Sequence, residues 1–161
     1  MNPDASFAAS RTRPAWAAGA VYFLAVFAVG FVVGAFRTTL VEPAIGAIGA
    51  VAAEAPLMLA ASWMICRAVV RRAALSSRPA TRLAMGGTAL ALLLIAETLL
   101  GILAFGRGPA LQLAAMTSGP GAIGFAAQVA FGLMPLLQAA CDARRARRES
   151  MLQSGRRAPS P

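Results

Sequence analysis

The sequence contains no histidine and no lysine, only two cysteines (Cys66 and Cys141), and few charges, 13% of its 161 residues. Ordinary soluble domains carry about 25% charged residues. The missing histidine excludes haem ligation through His, zinc sites built on His, Ser-His-Asp triads and His-liganded intramembrane metalloproteases. Two cysteines do not make a disulfide scaffold. They end the second and fourth apolar runs on what the charge pattern below makes the cytosolic face, where thiols stay reduced. Quinone-linked disulfide chemistry needs cysteine pairs on the other face. Gly119-Pro120-Gly121 lacks the Lys-Ser/Thr of a phosphate-binding loop. No catalytic set and no metal or cofactor site can be assembled, so the chain reads as a non-enzyme with no cofactor.

What is abundant is apolar sequence: 58% hydrophobic residues and a mean hydropathy of +0.68. That composition excludes a disordered chain. A membrane-spanning helix needs roughly 20 mainly apolar residues. Four segments qualify, at about 16–36, 43–66, 83–105 and 119–141. They predict an all-α polytopic membrane protein, a four-transmembrane-helix antiparallel bundle with short connections. The membrane domain spans residues 14–141. Residues 1–13 form an N-terminal tail, and residues 142–161 a basic tail expected to be disordered. The first span exceeds a signal-peptide core and has no convincing cleavage site, so it is expected to stay.

The net charge is +9, and all fifteen basic residues are arginine. They sit at the ends of the apolar runs, not among stacking aromatics, so nucleic acid is not an expected partner. Arg11 and Arg13, the five arginines from Arg67 to Arg82, and the six after Asp142 fall on one side of a four-span chain; only Arg37 and Arg107 fall on the other. The positive-inside rule then places both termini in the cytoplasm of a bacterial inner membrane. The arginine-rich segments are suited to anionic lipid headgroups.

Ionisable residues inside a span are functional candidates by default. Glu54 and Glu97 are two, and Gln128 is the strongest polar residue of the fourth span. With about 1.5 Å of rise per residue, Glu54 lies roughly 16 Å, Glu97 roughly 12 Å and Gln128 roughly 13 Å from the outer edge. Arg37 ends the first span on that side and can bend inward or snorkel outward. Small residues flank each group: Ala47 and Ala50 near Glu54, Gly101 near Glu97, Gly124 and Gly132 near Gln128, and the Gly30/Gly34 pair before Arg37. Such residues mark helix-packing faces in membranes. The expectation is one buried polar cluster of Arg37, Glu54, Glu97 and Gln128. Two carboxylates close together in low dielectric do not both ionise cheaply, and an arginine between them lets both stay charged. Three roles are open: a structural clamp, a proton- or ion-coupled transporter or channel subunit using Glu54 and Glu97, or an accessory subunit docked in a larger membrane complex. The transporter role requires self-association or a partner, because four helices leave little room for a cavity.

Prolines mark kinks and turns. Pro56 frees the carbonyl of Ala52, and Pro135 frees that of Phe131, because proline lacks the N–H that would bond to it. Glu42-Pro43 is expected to start the second span, with proline in the first turn and an acid at the helix N-terminus.

The run from Gly30 to Trp63, with Arg37, Pro43 and Glu54-x-Pro56, resembles a family of small four-span bacterial membrane proteins without an assigned activity. The resemblance implies Gly30, Gly34, Arg37, Pro43, Glu54, Pro56 and Met58 as motif positions. Glu97 and Met134-Pro135-Leu136-Leu137 are also similar. Gln128 departs from the pattern, since relatives tend to carry aromatics in span four. The resemblance implies the topology and no function.

Overall fold

The computed structural model describes residues 14–106, 108, 110, 114 and 119–156. The expected tail 1–13, Arg107 and the last five residues lie outside them. The described chain is all-helical. Helix α1 is Ala15–Phe36, α2 Glu42–Arg72, α3 Pro79–Phe105 and α4 Gly119–Arg156, and a π-helical segment Arg37–Val41 joins α1 to α2. Three helical runs are long and apolar enough to cross a membrane: Ala15–Arg72, Pro79–Leu103 and Gly119–Gln153. Four were expected. The difference arises because no loop separates α1 from α2: the π segment Arg37–Val41 joins α1 directly to Glu42, where α2 starts, as expected, with Pro43 in its first turn.

That first run of 58 residues nonetheless folds back on itself. Gly46 has φ +76° and ψ 164°, a backbone that L side chains rarely adopt. Arg37 and Glu54, nine and eight residues on either side of it, are in contact. A straight helix would hold them about 25 Å apart. The reversal therefore lies at Gly46, not at Pro43.

Helix α1 is apolar all round. Its buried positions Ala18, Gly19, Tyr22, Phe23 and Val26 follow helical spacing and form one stripe. Large apolar residues elsewhere face outward on every helix, among them Leu24, Phe31, Val32, Ile48, Leu57, Ile95 and Leu103. In water such a surface would be an aggregation site; lipid is its matching solvent. Helix α3 has Pro79 in its first turn and ends at Gly106, whose φ of +62° and N–H to the Ile102 carbonyl close the helix in left-handed form.

Helix α1 packs on α2 and α3, and α4 packs on α2 and α3. The chain neighbours α2 and α3 are thus diagonal, with α1 and α4 on the other diagonal. Glycines set the close approaches. A Cβ at Gly19 would lie 2.5 Å from the Met85 carbonyl oxygen, and one at Gly86 would collide with the Gly132 carbonyl oxygen. The core gathers Tyr22, Phe23, Cys66, Leu75, Met85, Ala89, Phe131 and Met134, in the half nearest the α2–α3 link.

Arg82, read from sequence as a topology signal, is 5% exposed. Its Nε donates to the Ser76 carbonyl at 3.0 Å and an Nη to that of Leu75 at 3.4 Å. These bonds hold the link just after Ala74, a non-glycine residue at φ +49°, whose strain persists only where its surroundings over-determine it. At the far end, α4 runs past Asp142 to Arg156, where a disordered tail was expected. Residues 142–153 are exposed, and the sequence after Cys141 is rich in Arg and Ala, good helix formers. At 38 residues, α4 spans about 57 Å, well beyond a hydrocarbon core of about 30 Å.

Candidate functional site

The site is built at the π segment. A π turn bonds residue i+5 to residue i, and the Glu42 N–H does reach the Arg37 carbonyl. The same turn stacks their side chains: Arg37 Nη1 donates to Glu42 Oε2 at 2.9 Å. In an α-helix these two positions would point well apart. Thr38 and Thr39 hydroxyls bond back to the carbonyls of Gly34, Ala35 and Phe36.

Across the Gly46 reversal, Arg37 Nε meets Glu54 Oε2 at 2.6 Å as an ion pair, with the N–H off the line of a hydrogen bond. Both side chains are mostly covered, at 24% and 19% exposure. One guanidinium therefore bridges two carboxylates and ties α1 to α2. On the other side of the bundle, Gln128 Nε2 of α4 donates to Glu97 Oε2 of α3 at 2.6 Å. Gln128 Oε1 is buried without a hydrogen-bond partner. Among the described residues Glu97 has no ion-pair partner.

The four residues expected in one cluster thus form two pairs, Arg37–Glu54 and Glu97–Gln128. Both pairs, with Glu42, line one cavity of about 990 Å³. The sequence argument that four helices leave little room for a cavity does not hold: this volume sits at the upper end of the usual ligand-pocket range of about 300–1,000 Å³. The rest of the lining is largely apolar, including Phe27, Phe31, Met58, Leu59, Leu93 and Phe125.

The other marked positions fall as follows. Gly30 and Gly34 do not bring helix backbones together. A Cβ at Gly30 would meet only the Met58 methyl, at 3.2 Å, and at Gly34 nothing within 4 Å. Both line the cavity. Close helix packing falls instead to Gly19, Gly86 and Gly132. Pro43 lies in the first turn of α2 and Pro56 on its exposed side. Pro135 is fully buried, beside Gly86. The Phe131 carbonyl that it frees accepts a hydrogen bond from Tyr22 Oη at 3.2 Å, and the Tyr22 and Phe131 rings stack at 4.5 Å.

Several polar contacts were missed from sequence. Glu42 was read as a helix-start acid, not as a partner of Arg37; only a π turn makes that spacing meet. Tyr22, the single tyrosine, was signalled by Pro135, since a buried freed carbonyl needs a donor. Gln138, 2% exposed, donates through Nε2 to the Trp63 carbonyl at 2.8 Å and ties α4 to α2. Arg67 and Asp142 add an exposed ion pair at 3.6 Å between the same helices.

Comparison of the chain with protein families, curated proteins and solved structures finds no match.

Proposed function

We propose that the chain is a non-enzymatic, four-span integral protein of a bacterial inner membrane, with both termini cytoplasmic. Its two polar pairs are clasps that hold α1 to α2 and α3 to α4. The observation that carries this reading is the pairing itself: every carboxylate lining the cavity is held by a side chain of the same bundle. The 58-residue run crosses twice, because it reverses at Gly46 and its contacts pair residues on either side. The exposed arginines of the long α4 end rest on anionic headgroups.

The topology is tested by thiol labelling in a background carrying Cys66→Ser and Cys141→Ser. With an impermeant maleimide on whole spheroplasts, Thr39→Cys is expected to label, and Ser77→Cys and Ser150→Cys only after permeabilisation. Labelling of Thr39→Cys and Ser77→Cys from the same side would overturn the double crossing. The clasp role predicts that Glu54→Gln and Glu97→Gln lower the melting temperature in detergent and leave no pH-dependent phenotype.

A second reading, a proton- or ion-coupled transporter or channel subunit, is favoured by one observation, the cavity that both acids line. It predicts that the same substitutions abolish proton-linked flux in vesicles while the protein still inserts. An accessory role in a larger complex predicts a stoichiometric partner after gentle extraction; a homo-oligomer predicts cross-linking to a second copy.

A further inference from the structure

We infer that the cavity binds an amphiphile with a protonated-amine head and an apolar body. The polar end supplies three carboxylates, Glu42, Glu54 and Glu97, against one guanidinium, Arg37. Should Glu97 carry a proton, the balance is still negative. The charged and amide donors all face carboxylates: Arg37 pairs with Glu42 and Glu54, its Nε without the alignment of a hydrogen bond, and Gln128 Nε2 bonds Glu97. What remains is acceptor capacity, the second oxygens of the carboxylates and the buried, unpartnered Gln128 Oε1. A buried acceptor without a donor is costly, and an ammonium head supplies the donors and the positive charge together. An anionic head would meet like charge.

The body of the ligand follows from the walls. Val26, Phe27, Met58, Leu59 and Leu93 line the remainder with apolar surface. Access follows from exposure. Phe31 and Phe125 line the cavity and are also 60% and 41% exposed, so the cavity is open at their side. The cavity is therefore reached from the surface that faces acyl chains, so its ligand partitions into the bilayer first. This inference rests on the membrane reading above and goes beyond it by naming the ligand chemistry. Two sources offer that chemistry, an amine-headed phospholipid and a diffusible lipophilic amine.

The test uses the full chain in nanodiscs of neutral phosphatidylcholine and three long-chain dansyl probes ending in a primary ammonium, an acetamide or a carboxylate. Saturable binding of the ammonium probe, about ten-fold tighter than the carboxylate probe, is expected. Glu97→Gln is expected to weaken it about ten-fold. Gly124→Leu is the decisive variant: Gly124 lines the cavity, and a Cβ there meets nothing within 4 Å. It adds bulk to the cavity and replaces no acid, and it is expected to abolish binding at an unchanged melting temperature. Gly87→Leu, in open space away from the cavity, is the control and is expected to bind normally. Equal binding of all three probes, or ammonium binding that survives Gly124→Leu, overturns the inference. Discs containing phosphatidylethanolamine separate the sources: displacement of the probe assigns the site to the lipid, and unchanged affinity to a diffusible amine. Failure of the topology shows in the thiol labelling and leaves the probe comparison intact. Failure of the cavity shows in the probes and leaves the labelling intact.

Discussion

The two halves of the bundle use the same residue types to opposite ends. In the half near the α2–α3 link, the buried polar side chains bond to backbone carbonyls: Tyr22 to Phe131, Gln138 to Trp63, Arg82 to Ser76 and Leu75. In the half near the π segment, the charged and amide side chains bond to one another, Arg37 to Glu42 and Glu54, and Gln128 to Glu97. Glycines divide in the same way. Gly19, Gly86 and Gly132 bring backbones into contact, whereas Gly34 and Gly124 border open space. A carbonyl in a helix cannot move without the helix, so these bonds lock the helices of the first half, where the core is packed, to one another. Side-chain pairs do not lock one backbone onto another, and the second half surrounds a cavity. Packing density, not composition, separates the two.

The sharpest way to break this contrast is at Gly86. Gly86→Leu puts a side chain on the Gly132 backbone, where nothing can yield. A loss of about 3 kcal/mol or more is expected, visible as a steep fall in detergent melting temperature or as failure to recover monodisperse protein. A stable Gly86→Leu protein would mean that α3 and α4 are not held at this distance.

The next effect is at Tyr22. Tyr22→Phe removes the donor to the Phe131 carbonyl and is expected to cost about 1–2 kcal/mol. Pro135→Ala restores an N–H to that carbonyl, so in its background Tyr22→Phe should cost less. A double-mutant cycle on melting temperature reads the coupling, and strict additivity would sink the assignment.

The smallest effects belong to the open half. Gly34→Ala and Gly124→Ala add a methyl to empty space. They are expected to be neutral or to stabilise by about 0.5–1 kcal/mol through helix propensity. Destabilisation by either would show that the cavity is closed in the working protein. In the same half, Arg37→Met should destabilise more than Arg37→Met combined with Glu54→Gln, because the single change strands a covered carboxylate.

Local features were legible where the signal was local. The apolar runs marked the starts of all four helices to within about four residues, Pro43 in the first turn of α2 included, but not the ends of α2 and α4, which run on into basic sequence past the apolar edge. Nothing in Arg37–Val41 announces a π turn, and without it the bond between Arg37 and Glu42 is invisible, since the two positions diverge on an α-helix. Depth placed Glu54, Glu97 and Gln128 at one level, but depth says nothing about azimuth, so one cluster was expected where the helices hold two pairs. The Gly30/Gly34 spacing looked like a packing motif; whether a glycine packs depends on what stands opposite, and opposite Gly34 there is space.

By itself, the sequence determined what acts along the chain or against the solvent: helical structure, apolar exteriors suited to lipid, the exclusion of histidine-based chemistry, and the carbonyl that Pro135 frees. Hydropathy, helix propensity and a missing N–H are properties of single residues and their near neighbours. Tertiary structure decided what depends on the relative rotation of helices: the diagonal placement of α2 and α3, the partner of each acid, the donor that meets Phe131, and the cavity. These contacts join residues up to 109 positions apart, and a one-residue rotation of any helix would exchange them for others.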